Sequence, residues 1–339
     1  MTPDHNMTRP LRLQHLVVRL PSILQLSPMD GLPKCLAAVF VLATLPSSLR
    51  AAEPKPTATK IAPAIEAELV PHLQLVYARY GDRELHLDLY RPRGGTRSPA
   101  ILCIHGGGWW QGSRNGMTNL AKALAARGYV AATLSYRLSG EAAFPAAIHD
   151  CKAAIRFLRA NAAEYGIDPD RMGATGLSAG GHLAALLATS GGVASLEGDG
   201  GHGQHDSRIQ AAVPMGAQSD FSIHEANIER SDPDPDGAKP NIWVQFLGGK
   251  PSEVPERWQL ASPLHHLDAD DPPMMFLSGE NDRDSTKAKK FRARMDQLGI
   301  PQGYRPIPNA PHAFLGRQIH FDQAIEQTVH WFDTFLKIP

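Results

Sequence analysis

Residues 83–90, Arg-Glu-Leu-His-Leu-Asp-Leu-Tyr, place Leu85, Leu87 and Leu89 at every second position. That period of two predicts a half-buried strand. Between Pro99 and His105 the run Ala-Ile-Leu-Cys-Ile has no polar break, which suits a strand covered on both faces. Residues 118–127 predict a helix stopped by Gly128, and Tyr129–Ser135 the next strand. From Pro145 to Glu164 the period lengthens. Ile148, Cys151, Ile155 and Leu158 recur at three- and four-residue steps, the mark of a helix with one apolar face. A turn at Asp168-Pro169-Asp170 leads to a short strand at 171–176 and a helix at Ala179–Thr189. Ile209–Pro214, Met274–Ser278 and residues around 303–307 predict strands, and Thr286–Leu298 and Asp322–Leu336 predict helices. Strands alternating with helices over 67–339 predict an α/β domain, a mostly parallel sheet with helices on both faces.

The periodicity fails between Gly191 and Leu264, where Gly, His, Asp and Pro dominate. Residues 191–264 therefore read as a loop-rich insertion or lid over the active site. Within it, Ser231-Asp-Pro-Asp-Pro-Asp-Gly lacks the spacing and closing Glu of a calcium loop and reads as solvated. At the other end, residues 36–45 form an apolar run of signal-peptide length, too short to span a bilayer. Lys34 precedes it and Ala51 and Ala52 follow. Residues 1–52 thus predict a leader cleaved near Ala51 or Ala52, and export to the periplasm or the medium. Arg9, Arg12 and Arg19 lie ahead of Met29, which suggests Met29 as the true start. Residues 53–66, rich in Pro, Lys, Thr and Ala, read as a linker.

Composition narrows the function. Hydrophobic residues are 42% and charged residues 20%, ordinary for a soluble globular chain. Lys plus Arg and Asp plus Glu both number 34, with no basic stripe, which argues against nucleic acid as partner. Nothing in the mature region predicts stable membrane insertion, and oligomeric state is not legible. Of the three cysteines, Cys35 falls in the leader. Cys103 and Cys151 read as buried free thiols, with a disulfide between them as the alternative. No cysteine spacing suggests a metal.

The chemistry is concentrated in three places. Gly176-Leu-Ser-Ala-Gly180 fits the G-x-S-x-G elbow, in which a serine stands on a tight strand-to-helix turn and small neighbours let the turn close. Ser178 is then the nucleophile. Upstream, His105-Gly-Gly-Gly-Trp109 follows an apolar strand, and glycines let backbone N–H groups approach a developing oxyanion. Gly107, Gly108 and Ala179 are the expected donors. No Lys-Ser/Thr follows the glycines, so a phosphate loop is rejected. Downstream, Asp282 follows a predicted strand and His312 precedes the last helix, in the order Ser, Asp, His. Glu280 and Asp284 are rivals for the acid, and Asp220 is a weaker one. His86, His149, His182, His265, His266 and His320 read as packing or surface residues. Acyl transfer by such a set needs no metal and no organic cofactor.

Taken with Ser135-Tyr-Arg-Leu, Phe144-Pro-Ala-Ala-Ile-His-Asp150, Tyr165-Gly-Ile-Asp-Pro, Ala261-Ser-Pro and Asp271-Pro-Pro, these motifs resemble the α/β-hydrolases near hormone-sensitive lipase. The resemblance is to the BD-FAE-type bacterial esterases, with feruloyl and acetylxylan esterases and kynurenine formamidases as relatives. It runs from about residue 70 to the C-terminus. It implies an α/β-hydrolase fold, a Ser178–Asp282–His312 triad and a small-molecule or carbohydrate ester as substrate, with acetyl or feruloyl groups foremost. An amidase or peptidase on the same triad, and a non-catalytic binding protein of the same fold, are the competing readings.

Overall fold

The apolar run around Cys103 sends its side chains to both sides of a sheet. Ile101 and Cys103 enter one hydrophobic layer; Ala100, Leu102 and Ile104 enter the other. The eight strands are β1 Leu69–Tyr80, β2 Arg83–Pro92, β3 Ser98–Ile104, β4 Val130–Leu134, β5 Ile167–Leu177, β6 Ala211–Met215, β7 Met274–Gly279 and β8 Gln302–Ile307. They form one sheet in the order β1-β2-β4-β3-β5-β6-β7-β8. The β1–β2 and β2–β4 pairs are antiparallel and all others are parallel. The computed structural model describes residues 59–94, 97–230, 241–282 and 288–337, all within the unit Pro54–Pro339. The leader, Asp284 and the acidic segment 231–240 lie outside the described residues.

The helices are α1 Pro63–Ala67, α2 Thr118–Ala125, α3 Ala146–Ala160, α4 Ala162–Tyr165, α5 Ala179–Thr189, α6 Ser222–Glu229, α7 Ile242–Leu247, α8 Pro255–Leu260, α9 Pro263–His266, α10 Lys289–Leu298 and α11 Gln318–Leu336. Ile148, Ile155 and Leu158 of α3, Leu183 and Leu187 of α5, and Phe291 of α10 fill the layer on one face. Leu120 and Leu124 of α2 and Phe321, Ile325 and Phe332 of α11 fill the other. The expected mostly parallel sheet with helices on both faces is what folds. Cys151 lies in the first layer and Cys103 in the second. Both are buried free thiols. The sheet separates them, so the disulfide alternative is excluded here.

Three expectations are corrected. The single helix expected over 145–164 is two, α3 and α4, because Asn161 leaves helical geometry and its Nδ2 donates to the Phe157 carbonyl at 2.8 Å. The region 191–264 is not all insertion: β6 lies within it and is a central strand between β5 and β7. Its first part, 190–208, is tied to α3. The buried Lys152 ammonium donates to the Ser190 carbonyl at 2.5 Å and to Glu197 at 2.7 Å. Four short helices, α6–α9, follow β6. Finally, the described part of the 53–66 linker is folded onto the domain. Thr59 Oγ1 donates to the Leu315 carbonyl at 2.8 Å, Asn119 Nδ2 donates to the Thr59 carbonyl at 2.6 Å, and α1 begins at Pro63.

Candidate active site

Loops leaving the C-terminal ends of five parallel strands converge, which is where open α/β sheets carry their sites. The central loop is the turn from β5 to α5. Ser178 has φ 60° and ψ −118°, a strained conformation for a residue with a Cβ. Its backbone holds it there. The Ser178 N–H donates to the Met215 carbonyl at 2.8 Å, and the Ser178 carbonyl accepts from the His182 N–H at 2.9 Å. The flanking glycines are required for space rather than for φ. A Cβ on Gly176 would lie 2.5 Å from the Ile104 carbonyl oxygen, and one on Gly180 would overlap that same oxygen. Only hydrogen at both positions lets β5 turn into α5 beside the end of β3.

The glycine-rich loop after β3 lies against this turn. A Cβ on Gly106 would sit 3.3 Å from the Ser178 Cβ. Gly107 and Gly108 take φ values of 111° and 59°. The Gly107 carbonyl is turned inward to accept from Trp110 and Gln111 N–H. Among the described residues the N–H groups of Gly107 and Gly108 donate to no protein acceptor. The Ala179 N–H is in the first turn of α5, where helical N–H groups lack intrahelical partners. His105 is buried, stacked on Tyr136 at 4.2 Å and bonded to the Gly106 carbonyl at 2.8 Å through Nδ1. Burial lowers its pKa to about 4. It holds the loop and offers no base to the site.

The acid and histidine loops leave β7 and β8 side by side. Gly279 makes this approach feasible, because a Cβ there would overlap the carbonyl oxygens of Ala310 and Pro311. The Asn281 N–H donates to the Ala310 carbonyl at 2.9 Å and the Glu280 N–H to the Ile307 carbonyl at 3.0 Å. On this frame His312 Nδ1 donates to Asp282 Oδ2 at 2.6 Å. The Asp282 side chain is 9% exposed and that of His312 is 42% exposed, so the carboxylate is shielded while the ring reaches solvent. The ring lies over Gly216, where a Cβ would come within 3.1 Å of its Cε1. Gly216 adjoins Met215, the residue whose carbonyl fixes Ser178. Two rivals for the acid face elsewhere. Glu280 accepts from the Asn309 N–H at 2.8 Å and so braces the histidine loop. Asp220 is buried and holds Ser222 and Lys290. Among the described residues no group of three or more His, Cys, Asp or Glu is arranged to hold a metal ion.

The BD-FAE family model matches residues 87–292, more than half of the chain and the span from β2 to α10. The chain belongs to the BD-FAE family. Its sheet order and strand directions are those of an α/β-hydrolase fold. It is 31% identical to esterase LipQ of Mycobacterium tuberculosis over 263 residues, 72% of this chain and 60% of LipQ. The chain thus spans about three fifths of the length of the curated relatives it matches. A truncated carbohydrate esterase from gut microbiota superposes with a TM-score of 0.66 at 28% identity, over 78% of this chain and 95% of that one. The butyrate-bound esterase Est2 of Thermogutta terrifontis superposes at 0.64 and 28% identity, over 77% and 93%.

One residue of this BD-FAE chain has a larger role than its sequence position conveyed. His182, in α5, is fully buried and uses both ring nitrogens. Trp109 Nε1 donates to its Nδ1 at 3.1 Å, and its Nε2 donates to the Ala261 carbonyl at 2.7 Å. The neutral ring therefore joins the glycine-rich loop to the end of α8, and burial lowers its pKa to about 4. A signal existed. All eleven residues of α5 are buried, and its polar side chains are this histidine and Thr189, whose hydroxyl donates within the helix to the Ala185 carbonyl. A polar side chain inside such a helix requires partners.

Proposed function

We propose that this protein is a serine carboxylester hydrolase that works through an acyl-enzyme. Ser178 is the nucleophile, His312 the general base and Asp282 the carboxylate that orients it. The observation that carries the reading is the 2.6 Å hydrogen bond from His312 Nδ1 to Asp282. It fixes the tautomer in which Nδ1 keeps its proton and Nε2 is the basic atom. Nε2 takes the Ser178 proton as Oγ attacks the ester carbonyl, and the carbonyl π-electrons move onto oxygen. The Gly107, Gly108 and Ala179 N–H groups stabilise that oxyanion, at about 3 kcal/mol of barrier for each donor that engages. The imidazolium then protonates the departing alkoxide. Water, deprotonated by the same nitrogen, attacks the acyl-enzyme and frees Ser178.

The substrates are short-chain or carbohydrate-linked esters, acetyl or feruloyl among them. Support comes from a carbohydrate esterase and a butyrate-bound esterase among the solved structures similar to this one. The apolar run 36–45 supports export after cleavage near Ala51 or Ala52. The test is hydrolysis of p-nitrophenyl acetate, butyrate and octanoate by the wild-type protein and by Ser178→Ala. Turnover that is lost in the variant supports the assignment. A folded wild-type protein without turnover on any of the three overturns the esterase reading in favour of an amidase or a binding protein.

A further inference from the structure

Three consecutive residues of the glycine-rich loop, Gly107, Gly108 and Trp109, take positive φ values of 111°, 59° and 63°. Glycine adopts such values freely, but Trp109 carries a Cβ and is strained there unless its surroundings hold it. The same stretch contains the Gly107 and Gly108 N–H groups assigned to the oxyanion. Among the described residues, two hydrogen bonds join it to other parts of the fold. The Trp109 carbonyl accepts from the Ser139 N–H at 2.8 Å, and the Trp109 indole N–H donates to His182 Nδ1 at 3.1 Å. The second bond reaches α5, the helix whose N-cap is Ser178 and whose first residue is Ala179.

His182 is coupled to the nucleophile through its own backbone. Its N–H donates to the Ser178 carbonyl at 2.9 Å, one helical turn back. Its side chain has a single usable tautomer. The Ala261 carbonyl, 2.7 Å from Nε2, can only accept, and the indole N–H at Nδ1 can only donate. Nε2 therefore keeps the proton, and Nδ1 stays a bare acceptor aimed at Trp109. The indole is also held from its other side, stacked on Phe246 at 4.4 Å and packed against Trp243 at 5.1 Å. His182 is fully buried and Trp109 is 4% exposed, so neither side chain is available to a substrate.

We propose that Trp109 and His182 are positioning residues for the oxyanion hole: their hydrogen bond sets the loop donors, Gly107 and Gly108, against the helix donor, Ala179, and against Ser178. The proposal rests on the esterase reading above. Neither side chain touches the reacting atoms. Without the bond the strained turn relaxes, and the loop donors leave the place that Ser178 fixes for the oxyanion. A misplacement of about 1 Å can cost about a hundredfold in rate. The loss falls on the transition state, because the charged oxygen exists there and not in the bound ester.

The experiment measures kcat and KM on p-nitrophenyl butyrate for wild-type protein, Trp109→Phe, His182→Asn, His182→Leu and the variant carrying both Trp109→Phe and His182→Leu. Trp109→Phe keeps an aromatic ring in the stack and removes the donor. Asparagine places an amide oxygen where Nδ1 lies and retains the acceptor, whereas leucine does not. The expected kcat falls by about tenfold to a hundredfold in Trp109→Phe and His182→Leu, with KM within about twofold of wild type. It falls least in His182→Asn. The double variant is no slower than the slower single one, because both changes remove one bond. Overturning results are a kcat in Trp109→Phe within about threefold of wild type, a loss carried by KM, or losses that multiply in the double variant. Trp109→Phe decides the matter alone if His182→Leu does not fold. Hydrogen exchange separates the proposal from the esterase reading. The Trp110 and Gln111 N–H groups donate to the Gly107 carbonyl and are protected while the turn holds. Their exchange should be about tenfold faster in Trp109→Phe, whether or not the protein turns over an ester. Unchanged exchange overturns the proposal even where wild-type protein is an active esterase. Faster exchange in the variant of an inactive wild-type protein removes the esterase reading and supports the bond as the loop's restraint.

Discussion

Replacing His182 by Gln should change the pH dependence of folding as well as its extent. Both nitrogens of this buried ring are engaged, one accepting from Trp109 and one donating to Ala261. Losing that pair of bonds should cost about 2–4 kcal/mol at pH 7, the range for two buried hydrogen bonds plus imperfect packing. The titration adds a separate effect. Burial holds the folded-state pKa at about 4, whereas a histidine in the unfolded chain titrates near ~6.5. Below pH 6.5 the unfolded chain binds a proton that the folded ring refuses. Stability is therefore complete above that value and is lost as pH falls toward 4. At pH 5 the linkage amounts to about 2 kcal/mol. Urea unfolding of wild-type protein and His182→Gln at pH 7 and pH 5 measures it directly. His105 and the carboxylates titrate in both proteins and cancel in the difference. The loss between pH 7 and pH 5 should be about 2 kcal/mol smaller in the variant. Equal losses would show that the ring is not held neutral in the fold, and the clamp between the glycine-rich loop and the end of α8 would have to be abandoned.

Three further outcomes follow from the geometry. Asp282→Asn should keep the fold but lower kcat by about 10³–10⁴, because the amide no longer holds the Nδ1–H tautomer of His312; thermal melting beside steady-state kinetics tests this, and a kcat within tenfold of wild type would transfer the acid's role to another residue. Gly107→Ala should lower kcat by about 10²–10³, since the new Cβ would overlap the Gln111 carbonyl oxygen and displace a candidate oxyanion donor; near-wild-type kcat would place the oxyanion elsewhere. Burial raises the Asp271 carboxyl to about 7, although the Asp268 N–H donates to its Oδ2 at 2.9 Å. Its charge therefore opposes folding increasingly from pH 4 to pH 7, so Asp271→Asn should raise the melting temperature at pH 8 and leave it unchanged at pH 4, and a lower melting temperature at pH 8 would refute the burial argument.

The sheet's centre was readable because its strands are buried on both faces and its helices are regular. The run around Cys103, the apolar face of α3 and the glycines around Ser178 each have one physical explanation, and the structure gives them that one. The first strand was not readable. In β1 the pairing with β2 shifts register between His72 and Leu75 and again between Val76 and Ala78, and Gln74 takes φ 57°. Each bulge resets the period of two, so no alternation survives along the strand. The helices α6–α9 are at most eight residues long, too short to display a helical period. Among the acids, Glu280 and Asp282 share one loop and one chain order; only the three-dimensional turn sends one to Asn309 and the other to His312. His182 reads as a packing residue and is one, but its two partners lie 73 and 79 residues away in the chain, so the contacts it makes were not legible.

The central claim is that Ser178 becomes acylated, and mass spectrometry of the intact protein after reaction with a fluorophosphonate tests it most directly. The serine oxygen displaces fluoride and retains the phosphonyl group, which arrests the reaction at a stable analogue of the tetrahedral intermediate. One adduct per chain is expected. It should map to the peptide that contains Ser178, form more slowly in Asp282→Asn, and be absent from Ser178→Ala. A folded protein that takes up no adduct, or an adduct that persists in Ser178→Ala, would contradict the account.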